Sequence, residues 1–225
     1  MIDSTLSPTP FLDFDRDDVA RFAREHAGSR GSPLERAVRL YYAVRDGIRY
    51  DPYGAGVSVE GIRASNTLAA GRGWCVSKSV LLGAACRAEG IPARLGFADV
   101  RNHLSTENMR AIMKTDVFYW HGYTSIELEG RWVKATPAFN VELCDKFGLL
   151  PLEFDGRSDS LYHPFDHEGQ RHMEYLNDRG SFDDVPIEAM QATFAEHYPG
   201  LSGVGRPGDF DAEVEAETSG PGGAR

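Results

Sequence analysis

The sequence is short of cysteine, of long apolar runs and of positive charge. It has three cysteines, Cys75, Cys86 and Cys144, in 225 residues. That number cannot fully pair, which excludes a disulfide-stapled scaffold. No stretch approaches the ~20 apolar residues of a membrane-spanning helix. Met1-Ile2-Asp3-Ser4 has neither the basic start nor the apolar run of a secretory signal. The expectation is a cytoplasmic protein with reduced thiols and no membrane contact. Lys and Arg number 24 against 34 Asp and Glu, for a net charge of −10. A chain of this sign is not built to hold nucleic acid.

An apolar fraction of 41% is enough for a real core. The length fits one domain, expected over residues 1–202. Within it residues 1–64 read as a helical part, 65–140 as a core, and 141–202 as a C-terminal extension. From 203 to 225 glycine, proline and acids dominate, and a disordered acidic tail is expected.

The chain turns on Gly71-Arg72-Gly73-Trp74-Cys75-Val76-Ser77-Lys78-Ser79. Val76, Val80, Ala84 and Ala88 recur every four residues, marking one buried helix face. Gly90 and Pro92 stop that helix. Cys75 therefore stands at its N-terminus, where free N–H groups and the helix dipole favour a thiolate. The alternative is a small buried cysteine in a core. Lys78, one turn on, reads as a solvated lysine, and Cys86 as core. Trp74 is placed to wall a site or to offer its indole N–H.

Upstream, Ser32-Pro33-Leu34-Glu35 is a strong helix start: an N-cap serine, a proline at the first position and a glutamate three residues on. The segment from Tyr50 to about residue 64 reads as a surface loop bordering a site. Downstream, residues 93–100 read as a strand and 101–114 as a polar connection. Residues 117–128 read as a long strand, Glu129-Gly130 as a two-residue turn and 131–135 as the returning strand.

A thiol nucleophile needs a base, and the base needs orienting. His121 is the candidate base, because it lies on the long strand. With Glu129-Gly130 as the turn, Leu128 pairs with Arg131, Tyr123 faces Thr136 and His121 faces Ala138. Side chains on one sheet face alternate by two. His121, Tyr123, Thr136 and Ala138 then share a face, with Thr136 and Asn140 as the diagonal neighbours of His121.

These residues resemble the transglutaminase-like superfamily. The resemblance rests on a Gly-x-Cys helix start, Gly90-Ile91-Pro92-Ala93-Arg94 after the helix, a strand histidine, and a hairpin to Trp132-Val133 and Pro137. It implies an α+β, papain-like fold, with helices at the N-terminus and the nucleophile helix packed on an antiparallel sheet. It implies Cys75 as nucleophile and His121 as general base. The family's third member is an aspartate after the Trp-Val strand, and by spacing from Trp132 that position is Thr136. Threonine can orient a ring but brings no charge. Asn140 is the other candidate for this role, and a site without a third member stays open.

The activity implied is acyl transfer or hydrolysis on a peptide or protein amide, with Trp74 and Tyr123 touching substrate and no cofactor or metal. A degenerate binding module is the alternative. His163, Asp166, His167 and His172 offer a rival metal reading, but Pro164 breaks regular helical presentation and no tight ligand motif accompanies them.

Overall fold

The computed structural model describes residues 3–54, 56–102, 105–161, 173–198 and 208–218. A 3-10 turn at Ser4–Leu6 precedes α1, Asp17–Ala27, which buries Val19, Ala23 and Ala27. Helix α2, Pro33–Gly47, starts as its sequence dictates. The Glu35 N–H donates to Ser32 Oγ, and the Glu35 carboxylate accepts the Ser32 N–H at 2.7 Å. Then follow β1, Arg49–Tyr50; α3, Val59–Ile62; α4, Ala64–Ala70; and β2, Arg72–Gly73. The central helix α5 spans Cys75–Ala88, followed by β3, Ala93–Asn102, and α6, Glu107–Met113. The hairpin is β4, Val117–Leu128, with β5, Arg131–Ala135. Helix α7, Val141–Phe147, strand β6, Met173–Phe182, and helices α8, Ile187–His197, and α9, Phe210–Thr218, complete the described chain.

Four strands form an antiparallel sheet in the order β5-β4-β3-β6. The hairpin turns at Glu129 (φ 51°) and Gly130 (φ 76°), the paired left-handed conformation that a tight two-residue turn needs. Leu128 pairs with Arg131, the register read from the spacing. Helix α5 is buried on every side from Cys75 to Arg87. It packs on β4, where Thr124 Oγ1 donates to the Ser79 carbonyl at 2.9 Å. This is an α+β arrangement in which the helix that starts at Cys75 packs on an antiparallel sheet.

Three differences from the sequence reading have physical causes. Strand β6 escapes a pattern search because its residues are mostly exposed or half-buried. It pairs with β3 through two register shifts, so no clean alternation marks it. Early in the C-terminal extension, the segment after α7 is not an independent element but is pinned on α2, with Leu149 and Phe154 buried and Leu150 exposed. There the Tyr41 hydroxyl and Arg45 donate to the Leu152 carbonyl at 2.9 and 2.7 Å. Within the expected acidic tail, α9 buries Phe210 and Val214, one turn apart. Its acids are engaged: Asp211 pairs with Arg49, Glu215 with Lys146, and Glu213 accepts from Tyr53, Thr106 and Asn108.

Lys78 corrects its reading as a solvated residue, for its side chain is fully buried. Its Nζ donates to the carbonyls of Arg45 at 2.9 Å and Ile48 at 2.5 Å. These belong to the end of α2, where carbonyls lack intrahelical partners and the dipole is negative. Burial nevertheless pushes the ammonium down to about 7, against an ordinary 10.5. The unfolded chain therefore binds more protons than the folded chain between these two values. Below pH 7 the folded state carries the full cost of a buried charge, and that cost fades as pH rises. Relative to Lys78→Met, the wild-type protein should gain up to about 1.4 kcal/mol per pH unit above pH 7. Urea unfolding of both proteins from pH 6 to 9.5 measures it, and parallel pH profiles would contradict it.

Candidate active site

The two-residue parallel pairing of β1 with β2 sets Tyr50 beside Gly73, immediately before Trp74 and Cys75. Cys75 opens α5, and the middle of β4 passes against it. Gly122 makes that approach possible. A Cβ there would lie 2.9 Å from Val76 Cα, closer than any side chain tolerates. With hydrogen alone at that position, the Gly122 N–H reaches the Cys75 sulfur, as do the N–H groups of Val76 and Cys75 itself.

These donors favour a thiolate, as the helix start led us to expect, but burial outweighs them. It pushes the Cys75 thiol up to about 11. Cys86 and Cys144 are pushed further, to about 12. The resting sulfur at neutral pH is thus a thiol cradled by three N–H groups.

A backbone irregularity precedes His121. Ala98 pairs with His121 but Val100 pairs with Phe118, so the register of β3 and β4 shifts by one residue between them. The extra residue lets Trp120 adopt φ 60°, the left-handed region that a bulky side chain rarely enters. Buried Asp99 holds this bulge. Its Oδ1 accepts the Trp120 N–H at 3.2 Å and Arg179 Nε at 2.6 Å, and its Oδ2 accepts Asn177 Nδ2 at 3.2 Å. The Arg179 guanidinium also lies 4.4 Å from the centre of the Trp120 ring. The sign of it in the sequence is an aspartate inside the apolar run Phe97-Ala98-Asp99-Val100.

Cys75, His121 and Trp74 line one narrow pocket. Tyr50 and Pro52 form one wall, Met109 and Met113 of α6 another, and Phe118, Tyr119, Phe194 and Tyr198 the rest. The Tyr198 hydroxyl donates to the Val117 carbonyl at 2.7 Å and accepts the Tyr119 N–H at 2.8 Å. It thereby ties the end of α8 to the beginning of β4. The Trp74 indole N–H is buried and has no hydrogen-bond partner among the described residues.

The model of the transglutaminase-like superfamily matches residues 20–137, more than half of the chain. The chain belongs to the transglutaminase-like superfamily. No curated protein matches it. Among solved structures, a candidate cysteine protease from Cytophaga hutchinsonii aligns with a TM-score of 0.52 at 16% identity, over 82% of this chain and 48% of that one. This likeness supports the papain-like, transglutaminase-like fold, and the present chain spans about half of that relative's length. A candidate protease from Parabacteroides distasonis ATCC 8503 aligns at a TM-score of 0.38 and 13% identity, over 56% of this chain and 25% of that one.

The remaining described residues singled out in this transglutaminase-like sequence do not line the pocket. Strand β5 ends at Ala135. The Thr136 N–H donates to the Ser160 carbonyl at 2.8 Å, and its own carbonyl accepts from Tyr41 at 3.2 Å. Its Oγ1 is buried without a hydrogen-bond partner among the described residues. Asn140 is engaged: Oδ1 accepts the Tyr50 N–H at 3.1 Å, and Nδ2 donates to Glu142 at 2.7 Å. Tyr123 sits across Gly96, its ring 5.1 Å from the Lys134 ammonium, away from the lining of the Cys75 pocket. His163, Asp166, His167 and His172 lie outside the described residues.

The bulge yields a test. Asp99→Ala strands the Trp120 N–H and leaves Arg179 without its counter-charge, and it should cost about 3 kcal/mol in urea unfolding. A loss below about 1 kcal/mol would show that Asp99 does not hold the bulge.

Proposed function

We propose that Cys75 and His121 form a nucleophile–base pair that cleaves or transfers acyl groups from a peptide or amide carbonyl. The meeting of these two side chains in one pocket is the observation that carries this reading. Cys75 Sγ attacks the carbonyl carbon while His121 takes the thiol proton. The carbon–nitrogen bond then breaks, and the leaving amine departs with that proton. The product is a thioester on Cys75. Water, or a second amine, adds to the thioester with loss of a proton to His121, and that proton returns to the sulfur as it leaves. Because burial holds the thiol up to about 11, proton transfer accompanies attack instead of preceding it.

The buried indole N–H of Trp74 is suited to receive the oxygen that gains charge during attack. Thr136, with an unengaged hydroxyl among the described residues, is the better candidate for the third position. Asn140 contributes by fixing Tyr50, a wall of the pocket. The neutral residue at 136 is what favours the second reading, a binding module of the same fold.

The test is to trap the thioester. Incubation with a p-nitrophenyl ester of a blocked amino acid, followed by intact-mass measurement and peptide mapping, should show one acyl group on Cys75. Cys75→Ala should abolish it, and His121→Ala should slow it by about a hundredfold. No adduct in the folded wild-type protein would favour the binding module, and an adduct elsewhere would displace Cys75.

A further inference from the structure

The mechanism uses three residues of the Cys75 pocket and leaves its other walls unexplained. Most of those walls are apolar, from Pro52 after β1, Met109 and Met113 on one face of α6, Phe118 on β4 and Phe194 on α8, with the rings of Tyr50, Tyr119 and Tyr198 among them. They come from four separate parts of the chain and converge on the sulfur. Among the described residues no lysine, arginine, aspartate or glutamate lines this pocket. The Tyr198 hydroxyl is committed to the backbone at Val117 and Tyr119. The molecule's acidic surplus does not reach in either, since the acids of α9 that flank this region pair outside the pocket with Arg49, Tyr53, Thr106 and Lys146.

We infer that this pocket receives the side chain of the acyl donor beside the reacting carbonyl, and that it selects neutral apolar side chains over charged ones and over the carboxamide of glutamine. The inference rests on the reading of Cys75 as the nucleophile and adds the class of substrate. A lysine or glutamate side chain entering here loses its water and meets no counter-charge. A glutamine carboxamide loses its hydrogen bonds and finds few replacements among methionine and aromatic side chains. A leucine, methionine or phenylalanine leaves water for carbon contacts on several sides. The two methionines, with flexible and polarisable thioethers, adapt to different apolar shapes. Selection is therefore sharp between apolar and polar side chains and broad within the apolar class.

The experiment uses a series of blocked dipeptidyl vinyl sulfones, identical except for the side chain on the residue carrying the electrophile: leucine, methionine, phenylalanine, glutamine, lysine or glutamate. Second-order rates of modification are read by intact mass and assigned by peptide mapping. The three apolar probes should modify Cys75 about tenfold or more faster than the three polar ones. In Met113→Glu the lysine probe should gain on the leucine probe by a similar factor. Met113→Gln, nearly isosteric, should narrow the gap between the leucine and glutamine probes and guards against loss of folding in the charged variant. Equal rates across the series, or a faster glutamine or lysine probe in the wild-type protein, overturn the inference while leaving Cys75 as nucleophile. Unchanged preferences in a folded Met113 variant also overturn it, because the pocket would not then be reading the side chain. If every probe reacts with Cys86 and Cys144 as fast as with Cys75, the nucleophile reading fails and the inference falls with it.

Discussion

The backbone of β4 meets the first turn of α5 with no room for a side chain between them. Gly122 is the residue that permits this, since any Cβ there would collide with Val76. The contact brings a strand N–H onto the Cys75 sulfur and sets the strand's preceding residue, His121, at the same pocket. Thr124, two residues on, fastens the strand to α5 through the Ser79 carbonyl. The hairpin, the bulge and the covering helices are all arranged around this line of contact. An alanine at 122 would push strand and helix apart where they lie closest.

Buried charges stiffen the frame around that contact, each spent on backbone groups that regular structure leaves over. Asp99 takes the N–H freed by the bulge at Trp120. Lys78 takes two carbonyls at the end of α2. Arg87, near the end of α5, donates to the carbonyls of Ala93, Ser7 and Asp183, tying the N-terminal segment and the end of β6 to the central helix. Removing water from a charge is expensive, and several partners offset that cost at Asp99 and Arg87, whereas at Lys78 the two carbonyls offset only part of it and the ammonium is pushed down to about 7. The result is a rigid support on which a small apolar pocket keeps its shape.

Much of this was legible in the sequence, because local rules and tertiary structure agree. The capping box at Ser32, the glycine-bounded helix from Cys75 and the hairpin at Glu129-Gly130 are fixed by short-range chemistry, and each falls where its residues put it. The places of Cys75 and His121 were readable in the same way, one at a helix start and the other on a long strand, although the bulge that precedes His121 was not. What was not legible depends on partners distant in the chain. Lys78 looks solvated until α2 presents its carbonyls. The acids of α9 look like a solvated tail until Arg49, Tyr53 and Lys146 lie opposite them. Strand β6 lacks a pattern because only its hydrogen bonds to β3 define it. The thiol's ionisation misled in the same way: the helix N-terminus is visible in sequence, whereas the burial that outweighs it is a property of the whole fold.

The account stands on His121 acting upon Cys75, and the pH dependence of thiol alkylation tests it most directly. Iodoacetamide modification of Cys75, resolved from Cys86 and Cys144 by peptide mapping, is followed from pH 5 to 10.5 in the wild-type protein and in His121→Ala. If the imidazole draws off the thiol proton, the wild-type rate rises with a step well below the pH at which the sulfur would ionise alone. The variant then lacks that step, and its rate climbs only towards the thiol's own ionisation at about 11. Superimposable profiles for the two proteins would contradict the account and leave Cys75 a buried thiol beside an unrelated histidine.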